Sequence, residues 1–200
     1  MSRGLGDVYK RQYYNKPSQD GLYEHYKAVA DATALPIMLY SIPGRSVIEI
    51  AVETIVRLAN DCPNIKANKE AGGSVDRINE QIQVVPEGFE ILSGDDPLTL
   101  PFMSCGAVGL VSVAGNLIPD VMARLVRACG NGSYDEALEL QKRYYPLLKT
   151  LMTLDTNPVP IKSALALTGQ CQPDLRRPLA PLTEAKTATL RECLQSFELL

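Results

Sequence analysis

The sequence lacks the residues on which several common kinds of active site depend. It has a single histidine, His25, which lies in a helical pattern with no nucleophile nearby, so a surface or capping role is expected and a Ser-His-Asp triad is not. Five cysteines are present, an odd number, and they form no C-x-x-C or histidine-paired spacing. The sequence therefore predicts free thiols in a reducing compartment, with neither a disulfide framework nor a zinc site.

Long apolar runs and basic clusters are also missing. No run of 18 apolar residues occurs, so no membrane span is predicted, and the N-terminus lacks the apolar segment of a signal peptide. A formal net charge of -3 argues against a nucleic-acid-binding surface, which would be basic. The composition is otherwise that of an ordinary globular protein. We expect a cytoplasmic protein without nucleic-acid or membrane partners.

Residues 1–12 differ in character from the rest of the chain. This segment, MSRGLGDVYKRQ, is polar and basic and stops abruptly before YYNKPSQDG. It resembles a translated sequencing-adapter scar fused to a gene fragment. We therefore treat residues 1–12 as non-native in predicting the fold.

From Tyr13 onward, short apolar runs alternate with amphipathic helical segments. Strands are predicted in LPIMLYSIP, NIKANKE, FEILSGDD and AVGLVSVAGN, with helices between them. Their ends, at Tyr40, Lys69, Gly94 and Val113, recur at intervals that can hold one helix and one strand. This alternation predicts an α/β fold of parallel βαβ units with polar residues at the carboxyl ends of the strands.

Such a repeat favours a (β/α)8 TIM barrel, whose active sites lie at the carboxyl ends of the strands. A doubly wound open sheet is the alternative, but no G-x-G-x-x-G motif follows a strand. Because a complete barrel has eight strands and the sequence shows about four, we expect a partial barrel, the C-terminal portion of a larger enzyme.

Only helices are predicted in the last part of the chain. One begins with Ser133 as N-cap and Glu136 completing a capping box, and the last begins with Thr183 as N-cap. We therefore predict the partial barrel over residues 13–130 and a C-terminal α-helical domain over residues 131–200.

Five stretches carry a resemblance to a known family, namely YYNKPSQDGLYEHY, LYSIPGR, NKEAGGSVDR, LSGDD and GLVSVAGN. In order and spacing they resemble dihydrodipicolinate synthase (4-hydroxy-tetrahydrodipicolinate synthase), of the pyruvate-dependent class I aldolase superfamily. The resemblance covers residues 13–200. It implies a lyase of lysine and diaminopimelate biosynthesis that condenses pyruvate with aspartate semialdehyde and needs no metal or organic cofactor.

The resemblance assigns the Schiff-base lysine to Lys69. In an extended strand Ile65, Ala67 and Lys69 share a face, and burial at an interior strand end would lower the pKa of the amine and free the neutral nucleophile. A solvated strand-end lysine is the structural alternative. Asn68 and Lys66 depart from the apolar residues expected beside this lysine, which leaves the packing of the strand open.

Four further residues around the pyruvate site are implied by the same resemblance. Tyr40 corresponds to a proton-relaying tyrosine, and Arg45 to the arginine that binds the carboxylate of the second substrate. Gly94 and Val111 correspond to positions whose backbones line the pyruvate site. Each also has a structural interpretation: aromatic packing for Tyr40, a solvated loop arginine for Arg45, and turn or core packing for Gly94 and Val111.

Two N-terminal tyrosines are implied to lie at a subunit interface. Tyr14 corresponds to a tyrosine that crosses a dimer interface into the neighbouring active site, and Tyr13 to a residue of an allosteric lysine pocket. The resemblance therefore implies a homo-oligomer, a dimer or a tetramer.

Two alternatives to the synthase stay open. N-acetylneuraminate lyases and other pyruvate aldolases resemble this chain, but the former usually lack an arginine at the position of Arg45. The chain could also be a non-catalytic assembly piece. No match occurs to the family's paired threonines, which bind the pyruvate carboxylate, so we expect little or no synthase activity from this chain alone.

Overall fold

The structure, a computed structural model, describes residues 15–200, so the predictions for Tyr13 and Tyr14 lie outside the described residues. The chain divides into two compact units, Met1–Val111 and Ser112–Leu200. Strands and helices alternate in the described part of the first unit, whereas the second unit contains only helices and a short turn. Within residues 15–200, no helix is both long and apolar enough to cross a bilayer.

The first unit confirms the predicted α/β class. Four parallel strands form one sheet in the order β1-β2-β3-β4. The strands are β1 (Ile37–Ser41), β2 (Ile65–Glu70), β3 (Glu90–Ser93) and β4 (Gly109–Leu110). The helices are α1 (Gln19–Asp31), α2 (Pro43–Ser46), α3 (Val52–Asp61), α4 (Val75–Val84) and α5 (Thr99–Ser104), and a 3-10 turn (Asp96–Leu98) precedes α5.

One face of this sheet, the helix face, is covered by two apolar clusters. The first joins Leu39 of β1 to buried residues of α1 and α3, among them Leu22 and Ile55. The second joins Ile91 of β3 to Phe102 of α5 and other apolar residues. Burying each such side chain contributes roughly 1.5–3 kcal/mol, so these clusters fix the helix face firmly.

Strand alternation directs Tyr40 and Lys69 to the opposite face, which we call the lysine face. The two residues are direct partners in the register of β1 and β2. Leu92 of β3 pairs with Lys69 on its other side. Three neighbouring strands therefore bring their carboxyl ends together around Lys69.

A bulge in β2 corrects one detail of the sequence prediction. Ile37 pairs with Ile65, whereas the next residue, Met38, pairs with Ala67, so Lys66 is an extra, exposed residue. Ile65 consequently lies in the same apolar cluster as Leu39 on the helix face. The prediction that Ile65 shares a face with Lys69 is wrong, because the extra residue reverses the alternation.

The second unit is built from four helices after a 3-10 turn (Ala114–Asn116). The helices are α6 (Pro119–Gly130), α7 (Tyr134–Thr153), α8 (Val159–Leu167) and α9 (Glu184–Ser196). Their fully buried side chains include Leu125, Leu147, Leu148, Ala164, Leu190 and Leu194. Since the unit starts at Ser112, α6 belongs to it, while the domain boundary at residue 130 stays a prediction.

Three local predictions have different outcomes. Thr183 is the N-cap of α9, and its hydroxyl accepts a hydrogen bond from Lys186 N at 3.3 Å, as predicted. Ser133 precedes α7 but makes no capping hydrogen bond, and Glu136 pairs with Arg124 instead. The capping box is therefore wrong. The predicted strand AVGLVSVAGN is also too long, because only Gly109–Leu110 is extended.

Candidate active site

The predicted nucleophile and the predicted proton relay lie together on the lysine face. Lys69 Nζ is 4.0 Å from the centroid of the Tyr40 ring. Because the two residues are register partners on adjacent parallel strands, the sheet itself holds them side by side. The amine lies over the ring face rather than at the phenol hydroxyl.

The environment of Lys69 favours the neutral amine. Burial lowers the pKa of Lys69, the nearby carboxylate of Asp96 raises it, and the positive charge of Arg45 lowers it. The aromatic face of Tyr40 also favours an ammonium, so desolvation acts against both Asp96 and the ring. The net direction is downward, which increases the fraction of unprotonated nucleophile at neutral pH.

Tyr40 is perturbed in the direction that keeps its phenol protonated. Burial raises the pKa of Tyr40, and the charge of Arg45 lowers it by a smaller amount. A phenol that stays protonated can donate a hydrogen bond or a proton to a substrate oxygen.

Gly94 follows β3 and packs directly against Lys69. A Cβ atom at this position would lie 3.0 Å from Lys69 Cε, 2.7 Å from Ala71 Cβ and 3.0 Å from Glu70 O. The amide of Gly94 also donates a hydrogen bond to Glu70 O at 2.7 Å. A glycine is therefore needed here, because any side chain would press on the lysine. Val111, in contrast, is held by its amide, which donates to Ser93 O at 2.8 Å, beyond the end of β4.

Arg45 is exposed on α2, a short helix that the sequence did not predict. The hydroxyl of Ser46, which is buried, lies 2.9 Å from the carbonyl oxygens of both Ile42 and Ile48 and braces the turn. The next residue, Val47, has φ of 66°, a value that a β-branched residue rarely adopts. The loop that carries Arg45 is therefore closed by a strained residue.

Asp96 is a site residue to which the sequence analysis gave no role. It begins the 3-10 turn after β3, is 1% exposed, and acts on the charge state of Lys69. The signal was present in the motif LSGDD, where two carboxylates follow a strand end.

Four polar residues behind Lys69 were also missed, and we call them the β2 polar network: Asn68, Glu70, Arg77 and Gln81. Glu70 Oε2 accepts hydrogen bonds from Gln81 Nε2 at 2.9 Å, Arg77 Nε at 3.1 Å and Asn68 Nδ2 at 3.4 Å. Arg77 and Gln81 are four residues apart on α4, so they share one helix face. The sequence does contain a signal for this network. Two polar residues lie four apart on a helix, and two more occupy alternate positions of the preceding strand.

Over residues 15–200, no group of three or more His, Cys, Asp or Glu side chains is placed to bind a metal ion.

Comparisons with known proteins show the family of the chain. The model of the dihydrodipicolinate synthetase family matches residues 10–197. The 4-hydroxy-tetrahydrodipicolinate synthase of Aquifex aeolicus (strain VF5) is 43% identical over 187 residues, which are 94% of this chain and 63% of that protein. The enzyme of the same name from Chlorobium limicola is 45% identical over 188 residues, with the same shares.

Solved structures give the same result. The crystal structure of dihydrodipicolinate synthase from Aquifex aeolicus matches with a TM-score of 0.91 at 43% identity, covering 94% of this chain and 64% of that one. The 4-hydroxy-tetrahydrodipicolinate synthase of Methylacidiphilum fumariolicum SolV matches with a TM-score of 0.90 at 50% identity, covering 94% and 63%. The chain thus spans about 63% of the length of the curated relatives it matches.

Proposed function

The chain belongs to the dihydrodipicolinate synthetase family, and on this premise we propose that it is part of a 4-hydroxy-tetrahydrodipicolinate synthase that condenses pyruvate with aspartate semialdehyde. The observation that carries the proposal is a desolvated amine, Lys69, held over the ring of Tyr40 at the carboxyl end of a parallel sheet. Such a site fits a Schiff-base enzyme of lysine biosynthesis that uses no cofactor.

The first chemical step joins Lys69 to pyruvate. The neutral amine attacks the ketone carbon, the carbinolamine loses water, and a protonated imine forms between Nζ and that carbon. The imine nitrogen then accepts the electron pair released when a proton leaves the pyruvate methyl group, which gives an enamine. The lowered pKa of Lys69 supplies the unprotonated amine for the first attack.

The second step uses the aldehyde. The enamine carbon attacks the aldehyde carbon of aspartate semialdehyde, whose oxygen takes up a proton, and the imine is restored. The amino group of the second substrate then attacks the imine carbon, closes the ring and releases Lys69 as the leaving group. Arg45, exposed near the site, would bind the substrate carboxylate through its planar guanidinium.

Tyr40 would donate a proton to oxygen atoms of the substrates. Lys69 Nζ lies over the Tyr40 ring, 4.0 Å from its centroid, so a substrate joined to Nζ would lie close to Tyr40. The raised pKa of Tyr40 keeps a proton there for the carbinolamine oxygen or the aldehyde oxygen. Gly94 and Val111 would line the pyruvate site with their backbones.

The four-stranded sheet is, in this proposal, part of a (β/α)8 barrel with the lysine face inside. The exposure of Met38 supports this, since it lies on the lysine face beside Tyr40 and is 38% exposed. Within residues 15–200, β1 and β4 are the free edges of the sheet. We place the partial barrel over residues 13–130, the helical domain over residues 131–200 and a non-native segment over residues 1–12.

The assembled protein is proposed to be a cytoplasmic homo-oligomer, a dimer or a tetramer. Tyr14 would complete the proton relay in a neighbouring subunit, and Tyr13 would line an allosteric lysine pocket. We further propose that this chain alone has little synthase activity, because water reaching the exposed lysine face weakens the desolvation of Lys69.

Borohydride trapping tests the function directly. A full-length version of the protein is incubated with pyruvate, reduced, digested and analysed by mass spectrometry, and a pyruvate-derived mass is expected on Lys69. Lys69→Ala should remove the adduct. Lys66→Ala is the matched control, because Lys66 is the exposed bulge lysine of the same strand, and it should retain the adduct. A full-length version that is folded by circular dichroism and forms no adduct would favour a non-catalytic piece.

The aldehyde partner requires a separate experiment. Arg45 favours an aldehyde that carries a carboxylate over a neutral sugar, so a full-length version should turn over aspartate semialdehyde faster than N-acetylmannosamine. Arg45→Ala should weaken only the former. The reverse preference would indicate an N-acetylneuraminate lyase or another aldolase of the superfamily.

A further inference from the structure

We propose that the β2 polar network positions the Lys69 amine for imine formation, with Asn68 and Gln81 as positioning residues. The inference rests on the proposed function of Lys69. It concerns residues on the helix face, which touch neither the amine nor the space before it.

Both chain neighbours of Lys69 are anchored from behind. Asn68 Nδ2 donates a hydrogen bond to Gln81 Oε1 at 2.8 Å, and Glu70 is bound by Gln81 and Arg77. Since alternate residues of a strand point to opposite faces, the anchors of Asn68 and Glu70 fix the backbone from which Lys69 projects. The lysine side chain is thus held in place by α4, a helix on the other side of the sheet.

The network also ties β2 to the segment before α3. Glu70 Oε1 accepts a hydrogen bond from Gly72 N at 2.8 Å. Arg77 contacts Glu49 Oε2 at 3.1 Å and donates to Ile50 O at 2.8 Å. Three separate pieces of the chain are therefore joined at the carboxyl end of β2, where Lys69 lies.

Stability alone does not account for this network. Asn68, Glu70 and Gln81 are fully buried, and Asn68 Oδ1 has no hydrogen-bond partner among the described residues. An unsatisfied buried acceptor destabilises the folded state, so Asn68 does not have the residue type that stability alone would favour at its position. Buried polar groups of this kind are retained in some proteins because they specify one geometry.

The amine needs a defined geometry because it is confined on two sides. Its Cε lies against Gly94, where even a Cβ atom would approach to 3.0 Å, and its Nζ lies 4.0 Å from the Tyr40 ring centroid. A displacement of about 1 Å of a reacting group can slow a reaction about a hundredfold. A small rotation of β2 would move Lys69 off this position.

The network acts through position rather than through charge. The carboxylate of Glu70 is matched by the guanidinium of Arg77 at 3.1 Å. The charged and titratable groups that act on Lys69 itself are Tyr40 from β1, Arg45 from α2 and Asp96 from the turn after β3.

A double-mutant cycle on the full chain tests the proposal. The variants are Asn68→Ala, Gln81→Ala and their combination, and the measurement is the rate of borohydride-trapped adduct formation at increasing pyruvate concentration. Each single variant should lower the maximal rate at least about tenfold, with the half-saturating pyruvate concentration changed by less than about twofold. The combination should lose less than the product of the two single losses, because both variants remove the shared Asn68 Nδ2–Gln81 Oε1 hydrogen bond.

Asn64→Ala is the matched control. Asn64 flanks the other end of β2 and donates hydrogen bonds to Ala30 O at 3.0 Å and Thr33 O at 2.8 Å. The same substitution therefore removes two hydrogen bonds at the end of the strand that is distant from Lys69. Its maximal rate should stay within about twofold of the parent chain. Equal losses in Asn64→Ala and Asn68→Ala, or additive losses in the cycle, would show that the network is only structural.

A second readout separates this inference from the proposed function. Acetic anhydride labels unprotonated amines, and the pH of half-maximal labelling at Lys69 can be measured without pyruvate. It should rise in Asn68→Ala and Gln81→Ala, because a loosened strand admits water to the amine, and stay constant in Asn64→Ala. No adduct in the parent chain together with this shift would refute the function and keep the positioning role. An adduct with unchanged rates and labelling in the variants would refute the positioning role alone.

Discussion

Replacing Gly94 with alanine should separate the packing of Lys69 from the stability of the sheet. The added Cβ would lie 2.7 Å from Ala71 Cβ and 3.0 Å from both Glu70 O and Lys69 Cε. Ordinary contacts begin near 3.4 Å, so the neighbours must yield by several tenths of an ångström. Movement of the flexible lysine side chain relieves only the contact with Lys69 Cε, so residue 94 must also shift away from Ala71 Cβ and Glu70 O.

Two magnitudes follow from this geometry. Overpacking of this kind costs about 1–3 kcal/mol of the free energy of unfolding. A shift of the amine approaching 1 Å should reduce the rate of pyruvate adduct formation by about 10- to 100-fold. The first is measured by urea denaturation, and the second by timed borohydride trapping with mass spectrometry.

Gly109→Ala is the control for Gly94→Ala. Gly109 lies in β4, and its added Cβ would meet only Leu92 Cδ2, at an ordinary 3.6 Å. We expect the trapping rate of this variant to stay within about twofold of the parent chain. If Gly94→Ala lowers stability and yet traps pyruvate at the parental rate, the close packing of Gly94 on Lys69 does not control the position of the amine.

Two further substitutions test the electrostatics of the site and the strain beside it. Asp96→Asn removes the carboxylate that raises the pKa of Lys69, so the pH of half-maximal acetic anhydride labelling of Lys69 should fall. Arg45→Gln removes a cation that lowers the same pKa, so that labelling pH should rise. Shifts of the same sign in both variants would refute the assignment. Val47→Gly relieves the strain of a β-branched residue at φ of 66° and should raise the free energy of unfolding by about 1 kcal/mol, because strain of about 1–3 kcal/mol exceeds the entropic cost of a glycine. Unchanged or lower stability in urea denaturation of Val47→Gly would show that the loop holds no such strain.

The sequence predicted the elements whose signals are local. Apolar runs identified β1 and β3, whose Leu39 and Ile91 lie in the apolar clusters of the helix face. The segment AVGLVSVAGN has the same composition, but its extended part is short and a 3-10 turn follows. Composition alone does not determine where pairing with a neighbouring strand ends.

Features that depend on contacts between distant residues were not predictable. The bulge at Lys66 turns Ile65 to the opposite face of the sheet from Lys69. The alternation of side chains along a strand, read from sequence, does not show where an extra residue will be accommodated. The capping box failed because Glu136 finds Arg124, a partner on another helix. The β2 polar network is similar, since Asn68 and Gln81 are adjacent only once α4 packs on the sheet.

The candidate site was predictable to the extent that a motif carries it. Lys69 and Tyr40 could be named from sequence, but their adjacency depends on the register between β1 and β2. The exposed position of Arg45 depends on a short helix that no local pattern specified, whereas Asp96 stands in the LSGDD motif but acts on Lys69 only through the fold of the turn after β3. The catalytic roles of these residues stay predictions until an adduct is mapped.

The extra residue in β2 divides that strand into two stretches. In each stretch, separate contacts determine which face of the sheet a given side chain points to, and we call this the phase of the stretch. Upstream of Lys66, the phase is fixed by the insertion of Ile65 among the helices, and downstream it is fixed by hydrogen bonding to α4. Loss or gain of one residue at the bulge is therefore absorbed locally. We therefore expect Lys69 to keep its facing if the bulge residue is deleted, because its side of the strand is held by α4.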